Sequence, residues 1–495
     1  MEMEAKAPRM DAEHQQPEME SDIDRMAEEE EEGHGTPDQR PNDDGDTNNP
    51  DGPPLDRRIH ILGTGAIGKL VAHALRGIPN PPPITLMFHR YRLLEAWEQS
   101  KKVITISSDG YEEQRSGYDV ELMPEVRRQH GVTVDRHEQD VYDFAEQEGL
   151  KPDQAAEVLR QRQQAEQAEI GEAEANTTAG PVVKRISKLR RPEGGRPGKG
   201  DYAYSSAPIS HLIISTKAGL TVPALQAVAH RLNAQSTICF LQNGMGILDA
   251  VNKHVFPHAP TRPNYIQGIL THGVNIPASI ADRDPFYAIH AGHGTLALGL
   301  LSRPDTPGSD PSGTWTPSSR HLLRTLTRTP ILAATGLPPP ELHAQQLEKL
   351  AVNSIINPLT TLLDTRNGAL LHNFPLTRVL RLLLAETSLV LRSLPELRAH
   401  PNTATRFSAA RLETLVVSVA YKTSENISSM LNDVRVGSKT EIEFINGYIV
   451  RRGEEVGVKC VVNYAIMQAV IAKAAIAQRE TNDEVPVLGS LAGQT

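Results

Sequence analysis

The sequence predicts an α/β N-terminal domain followed by an all-α C-terminal domain, with a disordered acidic tail ahead of both. Three observations lead to this prediction. Between residues 57 and 335, short β-rich runs alternate with helical patterns, which is typical of a parallel sheet with helices on both faces. From residue 336 to about 480, apolar residues recur almost only at helical spacing. Residues 1–50 hold 17 acids and four bases, so the net charge of −10 on the 495-residue chain is concentrated at its start.

The acidic tail covers residues 1–56 and is rich in Asp, Glu, Gly, Pro and Asn. Such a segment has little apolar surface to bury, so it cannot offset the conformational entropy of ordering, about 1–2 kcal/mol per residue. We expect a solvated tail, which is favoured over a docking segment for a basic partner. A second short tail is expected at residues 481–495.

Two irregular stretches interrupt the predicted N-terminal domain. The first is an insertion at about 108–206, which contains a basic run at residues 184–191. This run has no interleaved aromatic residues to stack on bases, so the sequence favours a solvated loop and no nucleic-acid partner is expected. The second is a Pro-, Gly- and Ser-rich surface loop at about 302–320.

Composition excludes several classes of protein. Two cysteines, Cys239 and Cys460, cannot make a disulfide scaffold or a Cys-based zinc site, and no metal is expected. No run reaches 18 uninterrupted apolar residues, so no membrane association is predicted. The acidic start resembles neither a signal peptide nor an Arg-rich presequence. A soluble cytoplasmic protein is therefore predicted, with a mitochondrial location left open.

A glycine motif opens the α/β domain. The β-rich run ending at Leu62 leads directly into Gly63-Thr64-Gly65-Ala66-Ile67-Gly68 and then into an apolar helical pattern. In that context Gly63 is expected to make a tight turn, Gly65 to admit a pyrophosphate to the backbone, and Gly68 to allow close helix packing. The alternative is a turn that contains glycine by chance. The context favours a Rossmann-like dinucleotide-binding domain, with all six motif residues in the cofactor site.

The residues after the second β run bear on which dinucleotide is bound. His89, Arg90 and Arg92 follow residues 84–88, and the first acid is Glu95. An acid at this place would bind a ribose hydroxyl, whereas an arginine suits a 2′-phosphate. The sequence thus favours NADP(H), with Arg90 as the phosphate contact, over simple exposed bases after an edge strand.

Further polar residues follow later strands or share one helix face. Lys217 and Asn243 stand at the carboxyl ends of two β runs, where ligands bind in open α/β sheets, although Asn243-Gly244 alone is an ordinary turn pair. In the second domain Lys349, Asn353 and Asn357 recur every four residues, along one face of a helix that Pro358 is expected to end or kink. By spacing alone, a polar cleft and a solvent-directed lysine with capping asparagines are equally favoured.

Ser438 and Glu441 match the S-x-x-E capping box, a structural role at a helix start. On the local pattern alone, the capping role is the favoured interpretation of Glu441.

In combination these motifs resemble the ketopantoate reductase (2-dehydropantoate 2-reductase) family. Beside the glycine motif, the resemblance rests on segments in the family's order: residues 216–218, 242–246, 349–353, 356–360, 367–368, 425–431, 440–442 and 445–447. They span about residues 57–475, and the tail and the insertion lie outside the family's pattern. The chain also has Cys460-Val461-Val462-Asn463 where the family usually has a proline before the asparagine.

The resemblance implies NADPH-dependent reduction of 2-dehydropantoate (ketopantoate) to (R)-pantoate, a step toward pantothenate and coenzyme A. It implies Lys349 as the proton donor, Asn243 in contact with cofactor and substrate, and Lys217 and Glu441 at the cofactor or facing the cleft. The implied substrate-binding residues are Asn243, Asn353, Asn357, Asn367 and Ser429.

Two other functions stay open at this point. One is a reductase of the same fold that acts on another 2-oxo acid, and the other is a non-catalytic scaffold that binds protein or RNA. The lysine, the asparagines and the glycines that the reaction needs are all present, which disfavours the scaffold. The sequence also leaves open whether the chain forms a homodimer.

Overall fold

The computed structural model describes residues 56–124, 128–129, 132–133, 154, 205–281, 283–301, 315–398 and 400–481. All of these residues belong to one compact unit that begins at Leu55. The predicted tails and the basic run at 184–191 lie outside the described residues, apart from the single terminal positions 56 and 481.

Strands dominate the first half of the described chain. They are β1 (Ile59–Leu62), β2 (Ile84–Phe88), β3 (Ile104–Ser108), β4 (Tyr111–Arg115), β5 (Tyr118–Leu122), β6 (Arg128–Gln129), β7 (Val132–Thr133), β8 (His211–Ile214), β9 (Thr237–Phe240), β10 (Asn264–Leu270), β11 (Gly273–Asn275), β12 (Tyr287–Gly292), β13 (Leu296–Leu300) and β14 (Ala334–Gly336).

Helices connect these strands and form the second half. They are α1 (Ala66–Arg76), α2 (Tyr91–Gln99), α3 (Thr221–Gln226), α4 (Ile247–His254), α5 (Ala278–Ala281), α6 (Pro317–Thr327), α7 (Pro339–Leu363), α8 (Phe374–Ser393), α9 (Thr403–Arg406), α10 (Ala409–Lys422), α11 (Ser429–Arg435), α12 (Ile442–Glu455) and α13 (Val461–Thr481). The predicted change from α/β to all-α is confirmed.

The main sheet has eight strands in the order β14-β13-β10-β9-β8-β1-β2-β5. Every neighbouring pair is parallel except β10 with β13. A second sheet has the order β11-β12-β3-β4. Strand β1 has β2 as its neighbour on one side and β8 as its neighbour on the other, so the strand order changes direction at β1. The carboxyl ends of β1 and β8 therefore flank the position where ligands bind in open α/β sheets.

The described residues form three large hydrophobic cores and a smaller fourth cluster. Alternate residues of the main sheet face opposite sides, so Ile213 and Cys239 lie in one core while Leu212 and Ile238 lie in the other. The third core lies entirely among the helices that follow β14, apart from the partly buried Met245 at its edge. The helical domain therefore has its own core. The seam between this domain and the sheet also holds a small apolar cluster of Ile269, Ala297 and Leu342.

Helix α7 is the central element of the helical domain, and it continues past Pro358 to Leu363. The helix therefore does not end at this proline, and the alternative expectation of a kink stays a prediction. The N–H that Pro358 lacks would have bonded the carbonyl oxygen of Ser354, four residues earlier in the helix. That carbonyl oxygen instead accepts a hydrogen bond from Nδ2 of Asn446 at 3.0 Å, which lets the helix tolerate the proline.

Helix α13 packs on the helical domain through buried polar contacts. Glu386 accepts hydrogen bonds from the backbone N–H groups of Val462 and Asn463 and so caps the helix start, where the chain departs from the family's proline. Lys473 donates to the carbonyl oxygens of Thr361 and Leu362. Within the described part of the chain, this is also the one helix long and apolar enough to cross a membrane, and 11% of that segment is buried.

The boundaries of the two irregular stretches differ from the prediction. Residues 111–115 and 118–122 form β4 and β5, which pair with β3 and β2 respectively, so the sheet structure continues beyond residue 108. Residues 317–320 begin α6, which is capped by Thr316, rather than continuing the loop. Nothing further of the insertion or of the loop at 302–314 lies in the described residues, apart from β6, β7, Gln154 and the segment from 205 onward.

Candidate active site

The glycine motif forms the turn between β1 and α1. Gly63 has a φ of +102°, a region that L side chains rarely adopt, and a Cβ there would lie 2.7 Å from the backbone nitrogen of Thr216. A Cβ on Gly68 would lie 1.9 Å from the carbonyl oxygen of Gly63. The structure therefore shows the tight turn and the close helix packing that the sequence predicts for these two glycines.

The start of α1 fits a dinucleotide pyrophosphate. Gly65 is the N-cap, and no atom lies within 4 Å of the position a Cβ would take there, so a phosphate can approach the backbone. The first turn of α1 carries no acidic residue to repel it. Thr64 and Ala66 are half-buried at the same turn, and Ile67 packs against the core. The motif residues thus form a cradle with room for the phosphates of a nicotinamide dinucleotide.

Arg90 lies at the carboxyl end of β2, next to the strand that leads into the glycine turn. It is the N-cap residue of α2 and its side chain is exposed. In a doubly wound sheet, the adenosine end of a bound dinucleotide lies on the side of the first strand where β2 is found. The position of Arg90 is therefore compatible with the predicted contact to a 2′-phosphate.

Lys349 connects the helical domain to the carboxyl ends of two strands. Its Nζ donates to Asn243 Oδ1 at 2.8 Å and to the carbonyl oxygen of Leu270 at 2.6 Å. Asn243 follows β9, and Leu270 is the last residue of β10. An ammonium group has three N–H bonds, so these two contacts orient it and leave one N–H for a ligand.

Glu441 supports this arrangement instead of capping a helix. It is the N-cap residue of α12, but its side chain makes no capping bond. Its Oε1 accepts the backbone N–H of Ala218 at 2.9 Å, and its Oε2 accepts Asn243 Nδ2 at 3.5 Å. The capping-box interpretation of Glu441 is therefore wrong, because its carboxylate reaches across the seam to the residues after β8 and β9.

The loop that carries Asn243 contains two glycines with positive φ, Gly244 and Gly246. Gly244 has a φ of +85°, and a Cβ there would lie 2.6 Å from the Cβ of Phe444 on α12. The backbone N–H of Met245 donates to the carbonyl oxygen of Phe444 at 2.8 Å. The loop is therefore pressed onto the helical domain, which places Asn243 between the lysine and the glutamate.

Lys349, Asn243, Gly244 and Met245 line an open pocket between the sheet and the helical domain. Its lining combines the ends of β9 and β10 with one face of α7: Gln242, Asn243, Gly244, Met245, Gln267, Gly268, Ile269, Gln346, Lys349, Leu350 and Asn353. The structure thus brings Lys349, Asn243 and Asn353 together. Of the three polar residues on the α7 face, Lys349 and Asn353 line the pocket and Asn357 does not.

Burial lowers the pKa of Lys349 to about 8, and the nearby carboxylate of Glu441 opposes this shift. A lysine with such a pKa is still largely protonated at neutral pH. It also releases its proton far more readily than an exposed lysine does. The pocket therefore holds a group suited to general-acid chemistry.

Lys217 makes an ion pair that the sequence did not reveal. Its Nζ lies 2.8 Å from Oδ2 of Asp433, a buried residue of α11. Burial raises the pKa of Asp433 to about 6, and the ammonium of Lys217 opposes that shift. The sequence analysis did not single out Asp433. The signal that could have identified it is a carboxylate among the apolar residues Met430, Leu431 and Val434, on the buried face of α11.

Three predicted substrate-binding residues lie outside the pocket lining. Asn357 is buried two turns beyond Lys349 on α7. Asn367 donates from Nδ2 to Thr423 Oγ1, and its buried Oδ1 has no partner in the described structure. Ser429 is exposed at the first position of α11, whose cap is Ser428. Their roles stay predictions.

Among the residues described, no cluster of three His, Cys, Asp or Glu side chains could hold a metal ion.

Comparison with known proteins finds related sequences of one family. Residues 150–303 match the family model described as ketopantoate reductase PanE/ApbA, and residues 341–474 match its C-terminal model. A probable 2-dehydropantoate 2-reductase of Schizosaccharomyces pombe is 30% identical over 267 residues, covering 52% of this chain and 72% of that protein. A ketoisovalerate reductase of Gibberella fujikuroi is 26% identical over 430 residues, covering 80% of this chain and 78% of that protein.

Solved structures share the fold. A PanE/ApbA family ketopantoate reductase from Ralstonia eutropha has a TM-score of 0.53 at 15% identity, with 85% of this chain and 99% of that chain covered. A D-mandelate dehydrogenase solved with NADH and anilino(oxo)acetate also has a TM-score of 0.53, at 17% identity and the same coverage. At these identities the likeness concerns the fold alone.

Proposed function

The chain belongs to the ketopantoate reductase family of oxidoreductases, and we propose that it catalyses the NADPH-dependent reduction of 2-dehydropantoate to (R)-pantoate. The observation that carries the proposal is the position of Lys349 in the pocket. Its ammonium is oriented by Asn243 and Leu270 at the carboxyl ends of adjacent parallel strands, on the same edge of the sheet as the glycine turn.

When bound, the nicotinamide supplies the hydride that adds to C2 of the 2-oxo acid. Negative charge then develops on the former carbonyl oxygen. The remaining N–H of Lys349 stabilises that oxygen and transfers its proton to it, leaving neutral lysine and a 2-hydroxy acid. Asn243 and Leu270 hold the ammonium in place throughout, so no reorganisation is needed as the charge forms.

The other polar residues of the pocket orient the substrate. Asn353 lies one turn beyond Lys349 on the same face of α7, and Gln346 lies one turn before it. Amide groups on either side of the lysine supply donors for a carboxylate or a hydroxyl, while Met245 and Leu350 supply apolar surface for a branched side chain. This lining suits a short branched 2-oxo acid.

A second substrate has support from the comparisons. The ketoisovalerate reductase of Gibberella fujikuroi matches a longer part of this chain than the 2-dehydropantoate 2-reductase of Schizosaccharomyces pombe does. 2-Ketoisovalerate has the same 2-oxo acid end and a branched side chain, but it lacks the terminal hydroxyl of ketopantoate. Lys349 and Asn243 act on the shared end, so both substrates fit the same mechanism.

The purified chain tests the proposal through oxidation of NADPH at 340 nm with ketopantoate and, in parallel, with 2-ketoisovalerate and pyruvate. We expect rapid turnover with ketopantoate and a higher kcat/KM than with the other two acids. A higher kcat/KM for 2-ketoisovalerate would replace the substrate and keep the mechanism. NADPH binding without turnover on any of the three acids would contradict the proposed reaction.

The pKa of Lys349 predicts the pH dependence. Because the reduction needs the ammonium form, kcat should be constant at neutral pH and fall about tenfold per pH unit above about 8. Oxidation of pantoate by NADP+ needs neutral lysine, so its kcat should rise through the same pH. Measurement of both directions between pH 6 and pH 10 checks this, and a reduction rate that stays constant to pH 10 would contradict it.

Arg90 is expected to select NADPH over NADH. Replacing it with alanine removes a charge-assisted contact to the 2′-phosphate, so the Kd for NADPH should rise about 10- to 100-fold while the Kd for NADH stays within about twofold. Fluorescence titration of both cofactors gives the two values. Arg392, an exposed arginine of α8 in the helical domain, is the matched control, and R392A should change neither Kd. Equal weakening of both cofactors by R90A would contradict the assignment.

The formation of a homodimer stays open, and the cytoplasmic location and the absence of a membrane or nucleic-acid partner stay predictions. Exposed apolar side chains on the helical domain, such as Leu382 and Leu389 of α8, are compatible with a contact between two copies.

A further inference from the structure

Gln242, which immediately precedes Asn243, has a polar atom that the reaction described above does not use. The residue is buried and lines the pocket. Its carbonyl oxygen Oε1 is enclosed and has no hydrogen-bond donor in the described structure. An enclosed acceptor without a donor is costly, and this one belongs to a residue that lines the pocket. A donor supplied by a ligand accounts for this one.

The neighbours of the Gln242 amide support its orientation. Its Nε2 donates to Thr221 Oγ1 at 2.9 Å. The hydroxyl of Thr221 donates to the carbonyl oxygen of Lys217 at 3.3 Å and lies 3.3 Å from Thr216 Oγ1. In this arrangement the hydroxyl accepts from Nε2, and Oε1 is the atom left for a ligand.

The chemistry of an acceptor excludes the reacting end of the substrate. The carboxylate and the keto oxygen of a 2-oxo acid only accept hydrogen bonds, so neither can pair with Oε1. The bound molecules that carry donors are the nicotinamide, through its carboxamide NH₂ group, and ketopantoate, through its terminal hydroxyl.

Position in the sheet favours the nicotinamide. Gln242 follows β9, on the opposite side of β1 from β2 and Arg90. A dinucleotide whose adenosine end lies near Arg90 and whose phosphates lie at Gly65 reaches its nicotinamide end near β8 and β9. Thr221, which accepts the hydrogen bond from Gln242, lies on the same side of β1 as β8. Its hydroxyl contacts the hydroxyl of Thr216, and the backbone of Thr216 packs closely against Gly63.

We propose that Gln242 is a cofactor-binding residue whose Oε1 accepts an N–H of the nicotinamide carboxamide and so determines which face of the ring is turned toward the substrate. This inference rests on the proposed function, since it requires a nicotinamide dinucleotide in the site.

The test compares NADPH with its reduced 3-acetylpyridine analogue, in which a methyl group replaces the carboxamide NH₂. Dissociation constants are measured by titration calorimetry for the full-length chain and for Q242L and Q242E. The full-length natural chain should bind the analogue at least about tenfold more weakly than NADPH. In Q242L, which has no acceptor, the two constants should agree within about twofold. Q242E keeps an oxygen at this place and should retain the discrimination.

The outcomes separate this inference from the proposed function. Tight NADPH binding with the same ratio of constants in the natural chain and in Q242L would overturn the role of Gln242 and leave the reductase proposal intact. Absence of NADPH binding by the natural chain would overturn both. If Q242L instead loses only its preference for ketopantoate over 2-ketoisovalerate, Oε1 serves the substrate hydroxyl and the carboxamide contact is overturned. If Q242L does not fold, Q242M, which also lacks the acceptor, takes its place: equal constants for the two cofactors support the contact, and an unchanged ratio overturns it.

Discussion

Replacing Lys349 with alanine should lower kcat for ketopantoate reduction by about 10²- to 10⁴-fold while the Kd for NADPH changes less than about twofold. Two effects are lost together, because the ammonium both stabilises the developing negative charge and supplies the proton. The side chain touches Asn243 and Leu270 and faces the pocket, whereas the glycine turn that receives the phosphates is formed by other residues. Stopped-flow measurement of hydride transfer tests the fall in kcat, and a separate cofactor titration tests the unchanged Kd for NADPH.

Lys473 provides a matched control. It too is a partly buried lysine of the helical domain whose ammonium donates to two backbone carbonyls, those of Thr361 and Leu362, but it does not line the pocket. K473A should therefore lower the free energy of unfolding without a selective loss of kcat. A K349A variant that keeps its kcat within about threefold would exclude the lysine as the general acid.

Periodicity predicted the elements that are stabilised by local pattern. Apolar residues at helical spacing from residue 336 onward identified the helical domain, and its helix α7 begins at Pro339. Pro339 and Pro340 are tolerated there because, in the first turn of a helix, the missing N–H has no partner in the helix. The glycine turn was predictable for a similar reason, since the contact between Gly68 and the carbonyl oxygen of Gly63 lies within one motif.

Strands with polar exteriors were not predictable in the same way. Four of the five residues of β4, the strand Tyr111–Arg115, are exposed, so its sequence carries no apolar alternation. It is a strand because β3 supplies its partners, and β5 likewise pairs with β2. Pairing of this kind depends on the neighbouring strand rather than on the segment's own pattern, which explains why this region was assigned to an insertion.

The site showed the same limit. Lys349 and Asn243 were proposed from motifs, but their contact joins residues 106 positions apart in the chain. Glu441 had a complete local explanation as a helix cap, and that explanation was wrong because its partners lie 198 and 223 positions away. A local rule can only compare residues within one segment, so it favours a local role whenever one is available.

That contact makes Glu441 the second residue with a large expected effect. In E441Q the amide keeps an oxygen for the N–H of Ala218, and the side chain keeps its volume, but the negative charge is lost. The charge of Glu441 raises the pKa of Lys349 against the effect of burial, so its removal should lower that pKa below about 8. The alkaline fall in kcat should then begin at lower pH, and a drop of one pKa unit would lower kcat at pH 8 about fivefold relative to the natural chain.

The pH profile distinguishes this electrostatic role from a loss of structure. If Glu441 acts through Lys349, E441Q should regain most of its activity near pH 6, where the lysine is protonated again. Glu443, an exposed glutamate in the first turn of the same helix, is the matched control, and E443Q should keep the natural profile. E441A should be worse than E441Q at every pH, because it also leaves the N–H of Ala218 without its acceptor. An E441Q profile that is uniformly lower but unshifted would mean that the carboxylate holds Asn243 in place without adjusting the acidity of the lysine.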